Sequence, residues 1–347
     1  MSLSALIAPF TLPLASFFAI PMLSSWTTSF NLLFFAFTYT TLTSTLSPLQ
    51  IELYTPLIIR TIFYILPSLI FLIFDLGLPS LAVQLKSEGE YALPGNQRGG
   101  KAKVRKVVLW SLVNILLGVG LQAGIEFLVT DVARMKSLLL IKGNWWSFNH
   151  LPLPWTMAKH AFIGFISRNL LQYYIHLHIL HSPTGGKLAH WHQTWHHSIS
   201  VPYAFVANYD HPACYLLHRF LPLYLPAILF RFHIMTYCLL LALFSLLDAF
   251  TYSGYNTLPS TIMLAGMARR TDAHMMSNGD GNYGPLGVMD WVHGTTLGGD
   301  VVDDLRAEMD KHDVKERTAN AIDDAGEKAS GVAGRIRARG RKGKGRK

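Results

Sequence analysis

The chain has 347 residues, of which half are hydrophobic and only 15% are charged; an ordinary soluble domain carries about 25% charged residues, so the composition points to the bilayer. The net charge of +9 is concentrated at the end, with eight Lys or Arg between Arg335 and Lys347. No nucleic-acid module accompanies that tail, which argues against a nucleic-acid partner and for a tail resting on anionic lipid.

The first segment, Leu3 to Leu23, is apolar but contains Pro9, Pro13 and Pro21. It has no basic lead-in and no clear small-residue cleavage site, so it reads as a retained membrane or interfacial segment. The stretch from Trp26 to Thr45, rich in Thr and Phe, gives no clear reading. A spanning helix needs about 20 mostly apolar residues. Leu57–Leu76, Val107–Val129 and the more polar Thr156–Leu180 meet that requirement, and Cys214–Phe250 is long enough for two passes with a break near Arg231–His233.

The loop from Gln84 to Lys106 carries Lys86, Arg98, Lys101, Lys103, Arg105 and Lys106, which places it in the cytosol by the positive-inside rule. Counting passes from there puts His176 to Pro212 and everything after Thr251 on the same side. From Val301 the chain reads as a short helix followed by a charged, disordered tail. Cys214 and Cys238 lie in apolar stretches and read as inert buried thiols. The expected division is membrane segments over 1–150, a histidine-rich domain over 151–298 and a basic tail over 299–347. The fold class is all-α: a multi-pass transmembrane helical protein with a cytosolic histidine-rich cap.

Eight of the fifteen histidines lie between His176 and His211. Each costs desolvation near a membrane unless it has a partner, and neutral imidazole is a good ligand for iron, zinc or copper. In His192-Gln-Thr-Trp-His196-His197 the first two histidines share a helix face. His197 points about 100° away, toward a possible second ion. In His176-Leu-His178-Ile-Leu-His181, helical spacing pairs His178 with His181.

Tyr173-Tyr-Ile-His176 through His181, then His192 to His197, resemble the first two histidine boxes of the fatty acid hydroxylase and sterol desaturase superfamily. His211-Pro212, Tyr252-Ser-Gly-Tyr255, Arg270 to His274 and Asn282-Tyr-Gly284 … Asp290-Trp291 … Gly294-Thr295 continue the likeness over roughly residues 155–298. The family register pairs His176, not His178, with His181. The resemblance implies two iron ions and the ligands His176, His181, His192, His196, His197 and His274. Leu177 replaces the usual Arg, and Tyr252, Thr271 and Met275 stand where imidazoles are expected. His211, His233, Asp248 and Asp272 are candidates to fill that gap, His211 foremost.

The implied activity is dioxygen-dependent hydroxylation or desaturation of a sterol or fatty-acyl chain in the endoplasmic reticulum membrane. His211-Pro212 is followed by Ala213-Cys214, so no haem-binding His-Pro-Gly-Gly element is present, and electrons would come from a separate cytochrome b5 or reductase. A lipid-binding or scaffold protein that has lost catalysis, and a zinc enzyme on the same scaffold, are the rival readings.

Overall fold

The structure, a computed structural model, describes residues 39, 41, 43–139, 154–255, 257–258 and 264–311. The segment 3–23, most of the stretch 26–45, His150, His312 and the basic tail lie outside the described residues.

Among the described residues the chain is helical, and a lone antiparallel bridge pairs Lys86 with Tyr255. Helix α1, Pro48–Gly77, begins at a reciprocal cap. The Gln50 amide donates to the Ser47 hydroxyl at 3.2 Å, and the Ser47 amide donates to the Gln50 side chain at 2.8 Å. Short α2, Pro79–Leu85, leads to the basic loop and then to α3, Gly100–Val132. Helix α4, Pro154–Ile175, runs into a π turn at His176–Leu180, and α5 is Gly186–Trp195. Helix α6 starts at Pro212–Tyr215, passes a π turn at Leu216–Phe220 and continues as Leu221–Leu229. The chain turns back at Phe230–His233 into α7, Ile234–Thr251. Helices α8, Gly266–Met276, α9, Val288–His293, and α10, Val301–Lys311, complete the described chain.

Among the described residues three helices, α1, α3 and α7, are long and apolar enough to cross a membrane. The windows Leu57–Leu76 and Val107–Val129 fall on the first two. The window Cys214–Phe250 does form two helices broken at the expected place, but only its second half is in that set. Its first half carries His218 and Arg219 within a π turn. Thr156–Leu180 falls on α4 and its π turn, outside the set of three. Even so, Trp155, Phe162, Ile166 and Leu170 form an exposed apolar stripe along α4.

Several of the polar groups buried between these helices pair with one another, which lowers the cost of taking them out of water. Gln122 donates to Glu52 at 3.1 Å and accepts from Tyr237 at 2.8 Å, joining α3, α1 and α7. Arg60 donates to Ser245 at 3.2 Å. The absent side chain of Gly164 lets α4 lie against Phe232 and Leu240; a Cβ there would come within 2.5 Å of Leu240.

The two ends of the bundle differ. At one end the basic loop packs on the histidine-bearing segments. Gln97 donates to the Val201 carbonyl at 2.7 Å, Lys103 to the Ser198 hydroxyl at 2.7 Å, and Lys86 to the Ser253 carbonyl at 2.6 Å. At the other end Tyr39 meets His233 at 3.1 Å, and Leu139 joins the core around Phe232.

Candidate metal centre

Five histidines converge at the first of these ends. His176, His181, His192, His197 and His274 each offer a ligand atom, and those atoms all lie within 4.8 Å of one another. Three separate stretches supply them: the end of α4, the end of α5 with the turn after it, and α8.

Local backbone irregularity brings them together. His176 and His181 are five apart, a spacing that a regular α-helix spreads over different faces. The π turn closes instead with the His181 amide donating to the His176 carbonyl at 2.9 Å, an i to i+5 bond that returns both side chains to one face. His178 is exposed and stacks on Tyr174. In the second box the α-helix stops at Trp195 and a 3₁₀ turn spans His196–Ser198. The tighter turn changes the register, so His197 joins His192 in the cluster. His196 stays one step outside, its ring 5.9 Å from that of Tyr252. His196 still shares a face with His192, as the spacing implies: its amide donates to the His192 carbonyl and its ring stacks 5.0 Å from that of His192.

The outward nitrogens fix the tautomers. Nδ1 of His176 donates to the Tyr283 carbonyl at 2.7 Å, and Nδ1 of His274 to the Gly281 carbonyl at 2.6 Å. His196 donates to the Tyr209 carbonyl at 2.8 Å, and His192 to the Asp210 carboxylate at 2.6 Å. Carbonyl oxygens only accept, so the proton sits on Nδ1 and the Nε2 lone pair is left free. Nε2 of His176 then faces Nε2 of His192 at 3.3 Å. Two lone pairs at that distance repel unless a cation lies between them. Nε2 of His274 is buried with no partner among the described residues.

This donor set fits a metal. Two nitrogens about 2.1 Å from one ion and at right angles lie about 3 Å apart, close to the spacing seen. Burial also keeps the imidazoles neutral and thus able to ligate. Burial, then the neighbouring His274 and His192, brings His181 down to about 2. Burial, then His192, brings His196 down to about 3, and burial holds His274 at about 4.

The closing loop is built to aim His176. Asp290, fully buried, accepts from the Tyr283 amide at 2.7 Å, the Gly284 amide at 2.9 Å and the Thr295 hydroxyl at 2.8 Å. Asn282 accepts from the Leu297 amide at 2.9 Å and donates to the Leu297 carbonyl at 3.0 Å. Together they pin the turn whose Tyr283 carbonyl holds His176.

Residues 161–295 match the fatty acid hydroxylase family model. The chain carries a fatty acid hydroxylase family domain. The matched span lies inside the region where the motifs were found and contains all five converging histidines. No solved structure matches the chain.

The other candidate ligands stand apart from the five. His211 caps α6, accepting from the Ala213 amide at 3.3 Å, and stacks on Trp191. His233 lies at the opposite end of the bundle, beside Tyr39. Asp248 is bound to Arg219 at 3.0 Å, and Asp272 faces Ser87 at 3.4 Å. Three contributors were missed in the sequence. His218 and Arg219 were hidden inside an apolar window, although an imidazole in such a window is itself a signal. Asp210 stands directly before His211-Pro212 and carries no metal-ligand spacing of its own. A small cavity beside the cluster is lined by Gln172, His218, Arg219, Tyr252 and Thr271, among others.

Proposed function

We propose that the chain is an oxygen-dependent iron oxidoreductase that hydroxylates or desaturates a fatty-acyl chain or sterol in the endoplasmic reticulum membrane. The observation that carries this reading is the cage of five imidazoles at one end of helices long and apolar enough to cross a membrane, inside the span that matches the fatty acid hydroxylase model. His176, His181, His192, His197 and His274 would hold the metal. Iron held there supplies the one-electron chemistry with dioxygen that breaking an unactivated C–H bond requires.

The protein's own residues prepare the site. Tyr283, Asp210 and Gly281 orient three of the imidazoles. Gln172 lines the cavity, and its Oε1 is buried without a partner among the described residues, an acceptor open to a proton-bearing substrate group. For hydroxylation, one oxygen atom enters the C–H bond and the other leaves as water with two electrons and two protons. For desaturation, two hydrogens leave the substrate and both oxygen atoms become water. In either case the two electrons come from a separate cytochrome b5 or reductase, and the cytosolic face suits such a donor.

The test combines metal analysis of the purified protein in detergent with lipid profiling of a deletion strain. Bound iron, oxygen uptake dependent on an added reductase system and one missing oxidised lipid are expected. A second reading, a lipid-binding or scaffold protein without catalysis, is favoured by Tyr252, Thr271 and Met275 standing where imidazoles are expected. No oxygen uptake and an unchanged lipid profile would select it.

A further inference from the structure

We propose that this chain holds a single metal ion, in the five-histidine cage, and that a buried arginine–tyrosine pair stands where a second ion would bind. The inference rests on the metal-centre reading above and concerns how many ions that centre takes.

The cage has the dimensions of a one-ion site. Its five ligand atoms lie within 4.8 Å of one another. Nitrogens on opposite sides of one ion, each about 2.1 Å away, lie about 4.2 Å apart, so small shifts close the cage on one ion. Paired ions in two-metal sites sit about 3.5–4 Å apart and need a second donor set displaced by that much.

On the neighbouring side the chemistry is wrong for a cation. Arg219, Tyr252 and Thr271 line the same cavity as His176 and His274. The Arg219 guanidinium donates to the Tyr252 phenol oxygen at 2.6 Å and to the Asp248 carboxylate at 3.0 Å, and all three residues are buried. Asp248 also faces Arg168 at 3.7 Å. The phenol oxygen and the carboxylate are thus already engaged by fixed positive charge. Met275 is 2% exposed and belongs to the apolar cluster of Ile199, Tyr203, Tyr209 and Tyr252. Among the described residues, the imidazoles left on that side are His196 and His218. Two fall short of the three or four protein donors that an ion held by imidazole takes. A divalent ion there would also stand beside a buried guanidinium, whose charge is unscreened by water.

The three departures therefore fall together. Positions 252, 271 and 275 all lie outside the cage, while all five cage imidazoles are present.

The test counts ions and spins. Full-length protein in detergent is stripped with chelator, reloaded anaerobically with Co(II) or Fe(II), and desalted. One ion per chain is expected, and in the cobalt form an EPR signal that accounts for every cobalt as magnetically isolated. His274→Ala should bind at least tenfold more weakly, whereas His196→Gln should retain one ion per chain. Two ions per chain, or spin coupling between cobalt ions, would overturn the single-ion centre while leaving the metal-centre reading intact. No bound metal at all would remove both. Loss of the ion in a folded His196→Gln would also overturn it, and if that variant fails to fold, the spin count on the unmodified protein decides.

Discussion

Three of the cage imidazoles, His176, His192 and His274, are aimed by the nitrogen that faces away from the cage. His192 is the clearest case, since Asp210 accepts its Nδ1 proton at 2.6 Å and is itself held by the His211 amide at 2.7 Å. Burial pushes the Asp210 carboxyl up to about 6, so at neutral pH it remains an anion that raises the basicity of His192. Removing such an outer partner typically lowers metal affinity about 10- to 100-fold. Asp210→Asn, with one acceptor oxygen left, is expected to weaken metal binding by that factor while the helical circular dichroism stays unchanged. Wild-type affinity in a competition titration would show that the carboxylate is incidental. Gly279 works by absence. Its φ is +100°, and a Cβ would meet the His181 ring at 2.2 Å. Gly279→Ala must therefore displace His181 as well as strain the backbone. Metal affinity should fall at least tenfold, and an unchanged value would mean that His181 is no ligand.

Among the elements, the π turn at the end of α4 has the largest chemical effect. It adds a residue to one helical turn, and so makes a five-residue spacing equivalent to the four-residue spacing of an α-helix. An ideal helix would have presented His178 instead. The two substitutions separate these geometries: His176→Ala should lose the ion, and His178→Ala should bind it normally. The opposite result would mean a regular helix in solution. The second π turn, Leu216–Phe220, places His218 and Arg219 within the core of the domain. The 3₁₀ turn after α5 makes the choice between His196 and His197. All three are departures from regular helix, and each carries a titratable side chain to the site.

At the scale of the whole molecule, the basic loop and the histidine cap share one end of the bundle. That arrangement ties the orientation of the cap to the loop charge. Ser200 is exposed at this end, whereas of the two native thiols Cys214 is buried and Cys238, on the apolar helix α7, is half-buried. Ser200→Cys should react with a membrane-impermeant maleimide from the cytosolic side only; labelling from the lumen alone would reverse the orientation.

Stability of the metal-free molecule should also depend on pH. His274 is held at about 4 and His196 at about 3, whereas an unfolded histidine titrates near pH 6.5. The unfolded state thus takes up protons first as pH falls. Stability is fully present above pH 6.5 and is lost as pH falls from about 6.5 toward 4 and 3. At pH 5 each of the two buried groups costs about 2 kcal/mol. Tm of the metal-free protein in detergent should drop across that interval, and a flat profile would show that these imidazoles are not buried as described.

The sequence by itself determined the membrane helices, the histidine density, the box-two spacing and the closing signature, because these depend on composition and local order. Hydrophobic runs of spanning length, and the cost of many imidazoles without partners, are legible residue by residue. The loop charge likewise predicted that Gln84–Lys106 and the boxes share a side, and the packing of Gln97 and Lys103 on that end agrees. The choice of His197 over His196 for the cage was decided only by the tertiary structure, as were the separation of His211 from it and the neighbourhood of Arg219. Ideal helix geometry assigns faces by counting, and the π turn breaks that count between His176 and His181. Arg219 reaches the cavity from a segment that reads as plain membrane helix. Its neighbours Asp248 and Tyr252 lie 29 and 33 residues away in the chain, so no local pattern could place them together.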